Sequence, residues 1–169
     1  HGSVKDRTRA INQFKALVVT APASLRAHLR PLAFAAQLVR ARRLGAVNDV
    51  VEYEVRFALR ELAAKIKFLT GQCDRLEERI GELTALASPA LVGLKGVGPH
   101  GAAQLLAAAG DNPHRMTSEA AFAKLCGACP IPASSGKTTR HRLNRGGDRR
   151  ANNALFTIVL VRMRHDPAT

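Results

Sequence analysis

Residues 130–147 read PIPASSGKTTRHRLNRGG, a string with two possible uses for phosphate chemistry. Gly136-Lys137-Thr138 has the form of the tail of a nucleotide-binding loop. That motif needs a glycine five residues before Gly136, where Ile131 stands between two prolines. No acid ending an apolar strand follows it, because the later acids are Asp148 and Asp166. The nucleotide-hydrolase reading fails on both counts. What remains is Ser134-Ser135-Gly136 followed by Lys137, Arg140, His141, Arg142, Arg145, Arg149 and Arg150. Six Lys/Arg in fourteen residues, with Asp148 the one acid among them, suit a grip on phosphates. A serine hydroxyl is a poor nucleophile at neutral pH. Opposite a phosphodiester clamped by guanidinium groups it needs less activation, because the cations stabilise charge gathering on the phosphorane oxygens. The product would be a phosphoserine ester that keeps the bond energy, so that a strand could be rejoined without ATP. Residue types alone leave the simpler alternative open, a serine that only contacts phosphate.

Two further motifs lie upstream. Gly96-Val97-Gly98-Pro99-His100-Gly101 matches G-x-G-x-x-G in form. A dinucleotide fold would need a preceding strand, a following parallel strand and an acid about 20 residues on, and the surrounding helical periodicity leaves no room for them. A helix-hairpin-helix fits better. Leu91-x-x-Leu94-x-Gly96-Val97-Gly98-x-x-x-Ala102 places two glycines in a tight turn, with Val97 pinned between the helices and Pro99 at the first position of the second helix. The free N–H groups of such a turn, with Lys95 beside it, can face a backbone phosphate without reading sequence. A plain turn between helices stays open as the alternative. Cys126-x-x-Cys129 with His114 and His141 is a thin signal for a metal module, since zinc sites usually show a second close pair.

The charge of the whole chain supports a polyanionic partner. Net charge is +13, and residues 1–43 and 130–169 hold nine and eight Lys/Arg against one and two acids. The stretch between them is near neutral, so two separate polyanion contacts are expected. If about six charges meet phosphates, log K should fall with log salt at a slope near −5. No apolar run suits a membrane span, and the basic blocks lack an aromatic lipid-anchoring face. Three cysteines make no disulfide framework, and a reducing cytoplasm is the default expectation.

The positioning elements read as helices. Trp is absent and aromatic residues are 4%, which favours Leu/Ala/Val packing. Helices are expected over residues 4–19, from Ser24 to about Leu29, and from Pro31 to near Gly45. Val55, Leu59, Leu62, Ile66, Leu69, Cys73, Leu76, Ile80 and Leu83 then alternate at spacings of four and three. This heptad seam predicts one helix from about Val47 to Leu86, roughly 60 Å long. A seam of that length calls for a second long helix, hence self-association through residues 55–83; a hairpin with residues 4–43 is the alternative. Thr117 or Ser118 caps a helix to about Leu125, residues 127–148 are loop or short extended structure, and Arg149–Arg164 reads as a helix apolar nearly all round, with a buried strand as the alternative.

The ordered pieces LVGLKGVGPHGAAQLLAAAGD, EAAFAKLCGACPIPASSGK and RLNRGGDRRANNAL resemble the transposase domain of the insertion-sequence one-ten family, with its relatives one-one-six and nine-zero-two. They cover roughly residues 88–156, while VKDRTRAINQFKALVVTAPASLR and the long coil resemble the family's middle region. The resemblance implies a DNA transposase that cleaves and rejoins strands through a phosphoserine under guidance of a structured noncoding bridge RNA. It maps the nucleophile to Ser135, with Ser134 as the fallback. It also implies an N-terminal RuvC-like domain whose acids hold Mg2+. That domain is missing from these residues, so no cofactor is expected in this chain and strand cleavage by it alone is not. GACPIP and GGDRRANNAL depart from the family's usual patterns.

The resulting expectation is a mainly all-α protein: a basic helical segment (1–46), a coiled-coil helix (47–87) and a transposase domain with helix-hairpin-helix and serine loop (88–169). Phosphate contacts fall to Lys95, Gly96, Gly98, Lys137, Arg140, Arg142, Arg145, Arg149 and Arg150, and to Lys5, Arg7, Arg9 and Lys15 of the first block. Expected partners are DNA, the bridge RNA and a second copy forming a dimer, in a bacterial cytoplasm at the nucleoid. The alternative is a non-catalytic dimeric nucleic-acid-binding protein.

Overall fold

The computed structural model of the chain describes residues 2–111, 114 and 116–168. Its described residues are mainly helical and fall into two compact units, residues 1–76 and 77–169. The first contains α1 (Gly2–Thr20), α2 (Ala23–Leu29), α3 (Phe34–Ala41) and the greater part of α4 (Val50–Ala87). The second contains the end of α4, then α5 (Pro89–Val92), α6 (Pro99–Ala109), α7 (Glu119–Leu125), the short strands β1 (Ile131–Pro132) and β2 (His141–Arg142), and α8 (Arg149–His165).

Prolines and caps punctuate the helices as the sequence suggests. Pro22 precedes α2, Pro89 and Pro99 occupy first positions of α5 and α6, and the Ser118 hydroxyl accepts the Ala121 N–H at 3.2 Å. The third helix is shorter than its expected span from Pro31 to Gly45. Leu32 N bonds back to Leu29 O and closes a turn, so helical bonding restarts only at Ala33. The long helix starts three residues later than expected because Asp49 caps it, its carboxylate accepting the Glu52 N–H at 2.7 Å.

In the first unit, Ala10, Phe14 and Val18 of α1 lie four residues apart on one face. They pack with Leu25 and Leu29 of α2, Ala41 of α3 and Leu59, Ala63, Ile66 and Leu69 of α4. This cluster corrects one expectation. The seam does not require a second long helix, because three short ones from the same chain cover its first half. Beyond Cys73 the cover ends, and Leu76 and Leu83 are exposed.

In the second unit, α6 and α8 approach closely through small residues. Ala102 on one helix and Ala151 and Ala154 on the other are buried, beside Leu105, Ile158, Val97 and Cys126. The last segment is helical, as expected, rather than a buried strand. Its apolar character all round does not translate into burial all round: Ile158 faces the core while Phe156, Leu160 and Met163 are exposed.

Candidate functional site

The segment expected to be loop or short extended structure is a β-hairpin. Ile131 pairs with Arg142 and Pro132 with His141. Ala133 N donates to Arg140 O at 2.8 Å, and Ser135 and Thr138 form an isolated antiparallel bridge through bonds of 3.3 and 3.2 Å. Gly136 and Lys137 are therefore a two-residue turn. Gly136 has φ +57° while no non-glycine residue among those described has positive φ, which is the pattern of a turn with glycine first. This geometry also disposes of the nucleotide-loop form, since the Gly-Lys pair leads into a strand and not a helix.

Register decides what the two serines can do. Side chains alternate across a ribbon, so Ile131, Ala133, Ser135, Thr138, Arg140 and Arg142 share one face, and Pro132, Ser134, Thr139 and His141 the other. The Ser134 hydroxyl is engaged: it accepts the Arg140 N–H at 3.3 Å and lies 3.5 Å from Arg140 O, patching the ladder where Ala133 leaves a donor unmet. Ser135 Oγ makes no hydrogen bond among the described residues and is exposed. The serine with the free hydroxyl is thus the one beside Gly136, on the face that carries two arginines.

The surrounding cations are available to a ligand. Lys137, Arg140, Arg142, Arg145, Arg149 and Arg150 are all exposed, and none makes an ion pair among the described residues. Arg149 and Arg150 occupy the first turn of α8, the positive end of the helix dipole, where cations are disfavoured. Asp148 relieves this end by accepting the Arg150 and Ala151 N–H groups at 2.7 and 2.9 Å. Those bonds, Ala151 foremost, hold the Asp148 carboxyl below the usual aspartate range. Two amides of this helix start are consequently taken, and its side chains remain open to an anion.

The helix-hairpin-helix forms, with a first helix of only four residues. Val97 is buried between the helices as expected, but the two glycines differ. Gly96 has φ +86°, and a Cβ there would lie 2.9 Å from Arg162 Cγ and 3.2 Å from Ile158 O. Gly96 is a glycine because α8 lies against it. Gly98 has an ordinary φ of −80°, open space around it, and no capping side chain over the first amides of α6. Of the two, Gly98 with exposed Lys95 can still meet a phosphate.

In the other unit, Lys5, Arg7, Arg9 and Lys15 lie along α1. Arg9 is paired with Asp6 at 3.3 Å, and the Lys15 ammonium sits 5.3 Å from the centre of the Phe34 ring. Among the described residues Lys5 and Arg7 have no such partner. Cys126 is fully buried and its thiol is pushed up by burial and by the charge of Asp148. No three His, Cys, Asp or Glu side chains among the described residues come together to hold an ion. No described helix is long and apolar enough to cross a membrane.

Residues 88–169 match the profile of the Transposase IS116/IS110/IS902 family, and the chain carries a domain of that family in this stretch. No curated protein and no solved structure matches the chain.

Proposed function

We propose that this chain is the coil and serine-bearing part of an RNA-guided DNA transposase, with Ser135 as nucleophile. The observation that carries the reading is the hydroxyl of Ser135, free of protein partners on the same hairpin face as Arg140 and Arg142. A scissile phosphodiester laid on this face would meet the serine at the turn and guanidinium groups two and four residue pairs further down. Ser135 Oγ forms a bond to phosphorus, the ester bond to one strand breaks, and the serine proton passes through solvent to the departing strand hydroxyl. The reverse step restores the backbone. No imidazole stands on this face, His141 being on the other, so transition-state charge rests with the arginines.

Arg149 and Arg150, exposed at the positive end of α8 and without an ion pair among the described residues, support an anionic partner beyond the relief that Asp148 gives this end. Gly98 and Lys95 supply a second, backbone-only contact. Lys5 and Arg7 of α1, without ion-pair partners among the described residues, take the RNA. Self-association uses the part of the seam that α1–α3 leave uncovered, around Leu76 and Leu83. Mg2+ belongs to a RuvC-like domain outside these residues, and no step here passes through a metal.

The test is a covalent trap with the assembled transposase, guide RNA and target DNA. Wild type and Ser134→Ala yield a protein–DNA adduct; Ser135→Ala yields none. An adduct that survives Ser135→Ala removes Ser135 from the role. Tight DNA binding with no adduct from wild type leaves the non-catalytic binding protein as the reading.

A further inference from the structure

The serine hairpin is exposed along its length, and a two-stranded ribbon is marginally stable by itself in water. Its order has to come from its base. There the chain leaves α7 and returns to α8 through a contact between two glycine backbones. A Cβ on Gly127 (φ +66°) would lie 2.7 Å from Gly146 O, and one on Gly147 (φ +93°) would lie 2.6 Å from both Gly127 N and Leu125 O. Asp148 N donates to Leu125 O at 2.7 Å, tying the start of α8 to the end of α7. Ala128 N and Cys129 N both donate to Ala123 O, which fixes the outgoing strand. One side chain joins this set of backbone bonds: Asn152 Nδ2 donates to Cys126 O at 3.0 Å, across 26 residues of sequence.

We infer that Asn152 is a positioning residue for Ser135, an inference that rests on the serine reading above. Asn152 sits in the first turn of α8, one turn from Arg149, and grips the carbonyl immediately before Gly127. It therefore fixes the angle at which the hairpin leaves the helix that carries Arg149 and Arg150. The lever is long. The seven steps from Ala128 to Ser135 span at most about 23 Å at roughly 3.3 Å each, so a tilt of about 5° at the neck displaces the hydroxyl by about 2 Å. Displacements of about 1 Å are enough to cost on the order of 10²-fold in a positioned reaction. The bond to Cys126 O joins α8 to the end of α7 across the neck, and a side-chain change can remove it without altering the backbone.

Asn152→Ala removes the donor while favouring the helix, and Asn152→Asp keeps the size but sets a carboxylate oxygen against the Cys126 carbonyl. The first readout is amide relaxation of the whole chain by NMR. Ser135, Thr138 and Arg140 become mobile in both variants, while Ala102, Ala154 and Ile158 keep wild-type order. The second is the covalent trap in the assembled transposase. Adduct formation slows at least about tenfold while DNA affinity stays within about twofold, because every cation is still present. Hairpin amides as ordered as in wild type overturn the inference; so does equal loosening of the α6–α8 core, or rate and affinity falling together. An adduct that persists in Ser135→Ala sinks the serine reading instead, and the relaxation data then decide alone whether Asn152 holds the hairpin.

Discussion

The two units are held together by opposite means. In the first, large side chains fill space: Phe14, Leu25, Leu29 and Leu59 are almost completely buried, and Phe14 meets Phe34 edge to face with ring centres 6.0 Å apart. In the second, space is left out. Ala102, Ala151 and Ala154 let α6 and α8 close on one another, and Gly96, Gly127 and Gly147 let backbone touch backbone or an arginine stem. The stability of the first unit lies in apolar volume. The second sacrifices apolar volume for backbone contacts that fix where a hairpin points.

That contrast is open to attack from both sides. The largest effect is expected for Phe14→Ala, which should destabilise the first unit by about 3–5 kcal/mol through lost transfer energy and a cavity. Denaturant unfolding followed by residue-resolved NMR checks it, and equal loosening around Ala154 would show that the units are not energetically separate. Gly147→Ala acts the other way, by adding one carbon where φ is +93° and two backbone atoms stand 2.6 Å away. A loss of about 1–3 kcal/mol confined to the second unit is expected in thermal melts; an unchanged melting midpoint would refute the account of the neck.

The smallest effect is on pH. Asp148 is held below its ordinary range by hydrogen bonds from Ala151 and Arg150. A group whose folded value is depressed stabilises above its unfolded value and loses that contribution as pH falls through the folded one. Amide protection at Arg150 and Ala151, taken relative to the intrinsic exchange rate at each pH, should therefore fall as pH drops below the usual aspartate range. Asp148→Asn should keep the cap and remove this acid dependence. Glu52, lowered by Arg56 and Ser24 at the start of α4, offers the same titration in the first unit and a control for it.

Much of the architecture was legible along the chain. The heptad spacing picked out Leu59, Ile66, Leu69 and Cys73 as buried, and of the two capping candidates Thr117 and Ser118 the cap is Ser118. Periodicity names a face, however, and not what covers it, so it could not show that α1–α3 would stop short of Leu76. Pro130 and Pro132 ruled out helix in the basic segment, but a ribbon's register depends on pairing across the turn, which leaves no period in the sequence. That register is what separates Ser135 from Ser134. The glycines of the hairpin-helix turn looked equivalent, and only the approach of α8 assigns them different duties. Asn152 gave no local signal, because its partner lies 26 residues away; the Gly146-Gly147 pair was the one hint that backbone would meet backbone there.

Gly136 differs from every other glycine with positive φ near the site. No heavy atom beyond its chain neighbours lies within 4 Å of where a Cβ would stand. Gly96, Gly127 and Gly147 are required to be small as well as left-handed, whereas the turn beside Ser135 asks only for handedness. Chirality is the whole of the demand: an ordinary alanine there would find room for its methyl group and meet strain only from the positive φ.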